Sequence, residues 1–374
     1  SNLRLENEGG NRVSLNMLLN TFTYNAKWFK PLSAATEFVA GHEVQFQTNR
    51  NYGARVIVPD ANSAEGSVSA YLKSNLRRFN IETGVSISDR KVETRATQNM
   101  DYTSGAIYPF QKSYVSANGN AGVSYNPVKA INIKVNASTG YRSPNLAELS
   151  SNGLHEGSFR YEIGSAALQA EQNLNTEVNL NYESGVLSIY TAAFVNRFRH
   201  FIYLAPTGTE LYGFSIYRFL QGDARLYGGE AMVTVKPFKN VSISSQFATV
   251  TGRLKSDGYL PFIPADKWSS DVTFSKPHIG LQTDVTVRGG VVYAFAQNHP
   301  GAFETATPGY MLVNASALFI IHKKQKDIRL SLAAENLTNK RYYDHLSRFK
   351  YFGIYNTGRN VMLSLAVPFS KTHI

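Results

Sequence analysis

Two stretches of this sequence gather side chains that could recognise a ligand. The first runs from Tyr141 and Arg142 through His155 and Glu156 to Arg160 and Tyr161. The second, RYYDHLSRFKYFGIY over 341–355, holds Tyr342, Tyr343, His345, Arg348 and Tyr355. His200 lies between them, in NRFRHFIY. Guanidinium groups among phenol rings suit carboxylate- or phosphate-bearing ligands and metal chelates. The fork of the guanidinium matches the acid groups, and the rings offer faces for stacking and for cations. Plainer readings stand beside these. His155 next to Glu156 is then a solvated or ion-paired loop histidine, His200 an interface or lumen residue, and the tyrosines of the second stretch an aromatic girdle. Catalytic groups are not expected, nor a resident cofactor. With 0 Cys there is no thiolate nucleophile or thiolate metal site. No HExxH or EF-hand spacing occurs, and no Ser/His/Asp spacing supports hydrolysis. Gly228 and Gly229 suit a strand kink better than a phosphate loop.

The elements that must position these residues alternate with period two. In Gly280–Tyr293, Leu281, Val285, Val287, Val291 and Tyr293 fall on one face, and Gln282, Asp284, Thr286 and Arg288 on the other. Residues 130–138 set Ile131, Ile133 and Val135 against Asn132, Lys134 and Asn136, and residues 177–182 set Val178, Leu180 and Tyr182 against Glu177, Asn179 and Asn181. This is the pattern of strands with two unlike faces. No convincing amphipathic helix is legible, and no run approaches the roughly 18 apolar residues of a membrane-spanning helix. The 22 Tyr and 22 Phe favour strands and suit an aromatic girdle at a membrane interface. The net charge of +11 does not point to nucleic acid, because the lysines gather in short turns and form no continuous stripe.

Connections alternate as well. KPLSA (30–34), NPVKA (126–130), KPFKN (236–240), KPHIG (276–280) and HKKQKD (322–327) are short, most with Pro or Gly beside Lys. Long connections are expected near 50–65, 93–114, 143–172, 205–221, 254–265, 294–308 and 338–357. Short turns at one end and long loops at the other, with about fifteen strands of ten or more residues, predict an antiparallel transmembrane β-barrel. A sandwich would have shorter strands, and a propeller a fixed repeat. Lipid cannot satisfy a free backbone amide, so the sheet must close. The 143–172 loop, with no apolar period to bury it, is expected to lie outside. Running the last strand towards the periplasm makes the short turns periplasmic and the long loops extracellular. With fifteen strands the first runs the same way, which suggests a missing N-terminal portion. The opening Ser-Asn, without a signal peptide, also suggests a trimmed chain.

At this point the motifs resemble those of TonB-dependent outer-membrane receptors. TGYRSPNLAEL (139–149) is similar to the family's FRAPNLxEL box, and Leu168, Glu171 and Asn173 to its NPNLxPE box, although GSAALQAE departs from it. The block 333–369 is closer. Asn336, Leu337, Asn339, Tyr342, Gly358, Arg359 and Phe369 fit xxNLxNxxY, a PGR-like turn and a terminal aromatic read by the barrel-assembly machinery. Thr357 replaces the usual Pro, and SKTHI follows Phe369.

The resemblance implies that 1–374 is part of the barrel domain, the C-terminal portion of about twenty-two strands around a plug. It implies TonB-energised uptake across the bacterial outer membrane, with the TonB complex contacted through the absent N-terminal part. The cargo would be an iron–siderophore complex or haem, with cobalamin or another metal chelate as alternatives. His155 falls where haem-uptake members carry an axial ligand. A porin-like passive channel, an outer-membrane lipase or protease, and an adhesin remain as rivals.

Overall fold

The structure is a computed structural model that describes residues 1–374 apart from 8–12, 55, 98–106, 156–159, 257, 281, 324–325 and 369–374. Glu156 and Phe369 therefore lie outside the described residues, as does Leu281. Eighteen strands are present among those described: β1 (Asn2–Asn7), β2 (Val13–Pro31), β3 (Thr36–Asn51), β4 (Ala61–Leu76), β5 (Phe79–Thr94), β6 (Gln111–Val128), β7 (Ile131–Arg142), β8 (Asn152–His155), β9 (Arg160–Ile163), β10 (Glu171–Glu183), β11 (Leu187–Leu211), β12 (Phe214–Phe238), β13 (Val241–Leu254), β14 (Lys267–Ile279), β15 (Thr283–Ala294), β16 (Tyr310–Lys323), β17 (Lys326–Glu335) and β18 (Asn360–Ala366). Sixteen form one antiparallel meander, β1 to β7 followed by β10 to β18. The extra strand relative to the expected fifteen is β1, too short for its alternation to stand out. It pairs with β2 from Asn2↔Leu19 to Asn7↔Val13. Sixteen is even, so β1 runs opposite to β18, where fifteen strands would have made first and last parallel.

Burial along the strands is the reverse of that in a soluble sheet. In β5 the apolar Phe79, Ile81, Val85 and Ile87 are the exposed set, while Asn80, Glu82, Ser86 and Ser88 are partly covered. β10 repeats this, with Leu174, Val178 and Leu180 exposed and Asn173, Asn175, Glu177 and Asn179 shielded. Val85 is 62% exposed and Leu363 72%. An apolar face this extensive left uncovered is stable only against lipid. Val287 belongs to it at 44% exposure, while Arg288 turns to the other face and donates to Asp271 (2.7 Å). Aromatic pairs lie near the short turns: Trp28 meets Phe38 edge-on, and Phe79 stacks on Tyr125 at 4.6 Å.

The apolar core sits instead at the long-loop end, where Leu149, Leu168 and Ile202 pack together with Phe110 and Phe219. Two expectations are corrected here. The segment near 205–221 is no loop. β11 and β12, of 25 residues each, run through it and meet at Tyr212–Gly213. Both of those residues have positive φ (53° and 77°), the requirement of a two-residue hairpin turn whose twist matches the strands. The 143–172 loop, for its part, is buried. It carries a helix, α1 (Leu146–Ser150), which the sequence reading missed although Asn145 and Glu148 form a capping box. It also carries the β8–β9 hairpin. β13 stops at Leu254, opposite Ala224, so β12 beyond that point has an unpaired edge. β9 fills it in parallel, from Ser215↔Arg160 to Arg218↔Ile163. Single anchors and edge pairing bury this loop, so no apolar period announces it.

Candidate functional site

Four of the long connections, near 143–172, 254–265, 294–308 and 336–359, meet one another or the strand ends at the long-loop end of the sheet. Arg142, the last residue of β7, sits opposite Glu171, the first of β10. Its guanidinium donates to both carboxylate oxygens of Glu148 (2.8 and 2.9 Å) and to Glu171 (3.1 Å). Glu148 also accepts from the Asn145 amide, and Glu171 from the Ile202 amide of β11, each at 2.8 Å. Arg90 on β5 reaches Ser143 (2.7 Å). The two sequence boxes are thereby tied to each other and to the neighbouring strand. Arg142 is occupied by this tie.

The other candidates of the first loop lie around it. Tyr161 is buried and donates to Asn152 (2.9 Å). Arg160 pairs with Glu162 (2.6 Å) and lies over the Tyr217 ring (5.2 Å). Tyr141 is half-buried near the end of β7. His155 ends β8 opposite Arg160, and its side chain is outside the described set. His200 adopts φ +56° at a bulge in β11. There its amide donates to Asp223 and its carbonyl accepts from Gln221.

The second loop, 336–359, folds inward. Asn336, 2% exposed, knits its base by bonding to the Lys340 amide and carbonyl. Asn339 accepts from the Arg359 amide. Tyr343 and Tyr355 stack at 4.4 Å, and Tyr342 packs on Tyr310 at 4.3 Å. Asp344 collects Lys267 and Tyr310, each at 3.0 Å. Burial alone would raise the Asp344 pKa, but these partners with the Leu346 amide hold it below the usual carboxylate range. His345 meets Thr307 (2.8 Å), and burial with the nearby Lys350 charge depresses its pKa. Arg348 is exposed at the start of a 3-10 turn, Arg348–Phe352. From that turn Tyr351 reaches Ser215 (3.3 Å) near the tip of β12, five strands away, so the sheet must curl for the loops to meet.

Lys267 marks the boundary between these loops and the interior below. Beneath it a cavity of about 530 Å³ is lined by Glu177, Phe194, Asn196, Glu230 and Lys267 among others. A second aromatic–cationic group, missed from the sequence, joins Tyr259 and His299, stacked at 4.5 Å, with Arg253 bonded to the Tyr259 hydroxyl. Arg253 ends β13 and Tyr259 follows six residues on, but His299 comes from a separate connection, so no spacing in the sequence announces the group. Asp344 was in plain sight within RYYDHL, but its partners Lys267 and Tyr310 lie far off in sequence. Among the described residues no three His or carboxylate side chains converge at this end, so the arrangement suits binding through rings, cations and hydrogen bonds.

Solved structures share this architecture. The copper transporter OprC superposes with a TM-score of 0.77 at 15% identity, over 94% of this chain and 57% of that one. The FrpB iron transporter from Neisseria meningitidis (F3-3 variant) gives 0.67 at 15%, over 94% and 55%. The ferric-catecholate import receptor Fiu from K12 E. coli gives 0.63 at 15%, over 94% and 55%. The chain thus spans little more than half the length of the structures it matches. Over residues 3–337 the sequence matches the family described as TonB dependent receptor-like, beta-barrel, and the chain, with its exposed apolar outer face and loop-filled polar interior, belongs to that family.

Proposed function

We propose that this chain forms the barrel wall and substrate-facing loops of an outer-membrane receptor for TonB-energised uptake of a metal chelate. An iron–siderophore complex or haem is the favoured cargo, with cobalamin or another metal chelate as the alternative. The carrying observation is the inward-folded loop end, where stacked rings (Tyr343 with Tyr355, Tyr259 with His299) and cations sit above a cavity of mixed lining that includes Glu177, Glu230 and Lys267. Such surfaces hold planar, anionic chelates by stacking and by charge-assisted hydrogen bonds. The similar structures, a copper transporter, an iron transporter and a ferric-catecholate import receptor, agree with a metal-bearing cargo. Tyr343, Tyr355 and Arg348 are the proposed contacts of the second loop, and Tyr141, Arg160 and Tyr161 frame the first. His155, with Glu156 beside it, is the proposed axial ligand if the cargo is haem, and His200 flanks the same loop.

In this reading the long loops face outside and the short turns face the periplasm, where the TonB complex engages the receptor. The barrel-assembly machinery reads the C-terminal strand near Phe369. The test is growth on a ferric chelate, haem or cobalamin as sole source, with the receptor gene present or deleted and with TonB present or deleted. Uptake that needs both supports the proposal. Uptake indifferent to TonB, with ion conductance in planar bilayers, would establish a passive channel instead.

A further inference from the structure

At the short-turn end, opposite the loops just described, three side chains from adjacent strands turn towards one point. They are His278 of β14, Asp284 of β15 and His322 of β16. One donor atom from each lies within 4.8 Å of the others. His322 Nε2 is 3.0 Å from Asp284 Oδ2, and His278 Nδ1 is 3.6 Å from Asp284 Oδ1. We propose that these three residues form a binding site for a divalent transition-metal ion, clipping β14, β15 and β16 together at the rim.

The backbone is arranged to bring the second imidazole in. β14 and β15 pair regularly as far as Lys276↔Val285, and the register resumes at Ile279↔Thr283. Pro277 and His278 therefore stand opposite the single residue Asp284. Such a bulge re-aims a side chain that regular alternation would send elsewhere. His278 adopts φ +53° there, a left-handed conformation costly for a residue with a Cβ, and its amide is held by Asp284 Oδ1 (2.9 Å). An ordinary surface ion pair needs one histidine and no such distortion.

The donor set selects the class of ion. Two imidazoles and one carboxylate suit Zn²⁺, Cu²⁺, Ni²⁺ or Co²⁺, whereas Ca²⁺ and Mg²⁺ want a shell of oxygens. Asp327 supplies the outer support, accepting from His322 Nδ1 at 2.8 Å. That bond orients the ring and directs Nε2 towards Asp284, as carboxylates do behind metal-bound histidines. The ion would bind the Nε2 lone pair between the ring and Oδ2, and any proton held there would pass to solvent. With neutral imidazoles, a divalent ion is balanced by the two carboxylates, Asp284 and Asp327. Bonds of about 2.0–2.1 Å require the donors to close in slightly. The exposed His278 side chain is placed to make that movement.

The test is titration of the full chain in detergent with Co²⁺ alone, read by its ligand-field absorption, and with Cu²⁺ alone, read by nitrogen hyperfine structure in electron paramagnetic resonance. The expected result is one saturable equivalent with two imidazole nitrogens. His278→Ala and His322→Ala should each abolish it or remove a nitrogen, and Asp327→Asn should weaken it about 10–100-fold. His345→Gln, at the opposite end, should leave that equivalent unchanged. His278 lies at a turn, so its variant is expected to fold, and retained strand circular dichroism checks this. No saturable equivalent in the parent chain, or the same equivalent in a folded His278→Ala/His322→Ala double variant, would overturn the site.

Discussion

The Arg142 tie allows a quantitative prediction about the first loop. Replacing Arg142 by Ala removes three charge-assisted hydrogen bonds and leaves Glu148 and Glu171, both buried, facing one another without a cation. Hydrogen bonds to charged groups are worth about 1.5–3 kcal/mol each. The Arg142 side chain is 42% exposed, so water screens part of that sum. A net loss of about 2–3 kcal/mol is expected, and it falls on the loop rather than on the barrel wall, because no strand ladder depends on the guanidinium. Every 1.4 kcal/mol is tenfold, so the open population of the loop should rise about 30–150-fold. Hydrogen exchange reads this directly. The Ser151, Gly164 and Ser165 amides, now bonded to Ala147, Ser151 and Glu148, should lose protection by that factor, while amides of β5 and β6 keep theirs. Arg142→Lys should restore part of the protection. Unchanged exchange over 146–168 in Arg142→Ala would refute the view that this triad holds the loop down.

Other expectations concern separate parts of the molecule. A Cβ at Gly164 would sit 2.6 Å from the Ser150 nitrogen and 2.8 Å from the Glu148 oxygen, both backbone, so Gly164→Ala should shift the β8–β9 hairpin at a cost of about 1–3 kcal/mol, measured as faster exchange of the same amides. His345 is expected to loosen the second loop in acid. Its folded pKa lies below the unfolded value of 6.5, so the unfolded loop binds more protons in that window and stability falls as pH drops through it. Lys350, Glu304 and Asp344 are the charges that face it. Exchange over 340–356 at pH 7.5 and pH 5 should differ, and His345→Gln should flatten the difference. On the outer face, Val178→Arg should destabilise the chain in bilayers by about 2–4 kcal/mol by denaturant titration, while Asn181→Arg on the polar face should not.

The barrel wall was legible because its signal is local. Alternation over ten residues states the two faces, and the exposure pattern of β5 and β10 follows it residue by residue. The turn at Tyr212–Gly213 carried its own signal, a glycine between Leu211 and Phe214, but the polar stretch 207–210 just before it reads as the middle of a loop. The helix start at Asn145–Glu148 was equally present and equally passed over. What could not be read was pairing at a distance. Lys267 meets Asp344 across 77 residues, Tyr351 meets Ser215 across 136, and β9 joins β12 only because β13 ends early. None of these leaves a period or a spacing in the chain.

This division bears on which motif residues touch cargo. The residues that carry the family resemblance are spent on internal ties: Arg142 on Glu148 and Glu171, Asn336 on Lys340, Asn339 on Arg359. A side chain with its hydrogen-bonding groups already satisfied gains little by exchanging them for a ligand, and freeing it would release the loop it holds. Tyr343 and Tyr355 are different. Their stacked rings lie on the loop surface, with the Tyr343 hydroxyl donating to the Gly353 carbonyl and lying within reach of the Tyr355 hydroxyl. Substituting the tie residues should therefore lower binding through loop order, and show it in hydrogen exchange without ligand. Substituting Tyr355 should lower binding with the unliganded exchange pattern intact. If both kinds of variant changed exchange alike, the separation between residues that build the mouth and residues that contact cargo would fail.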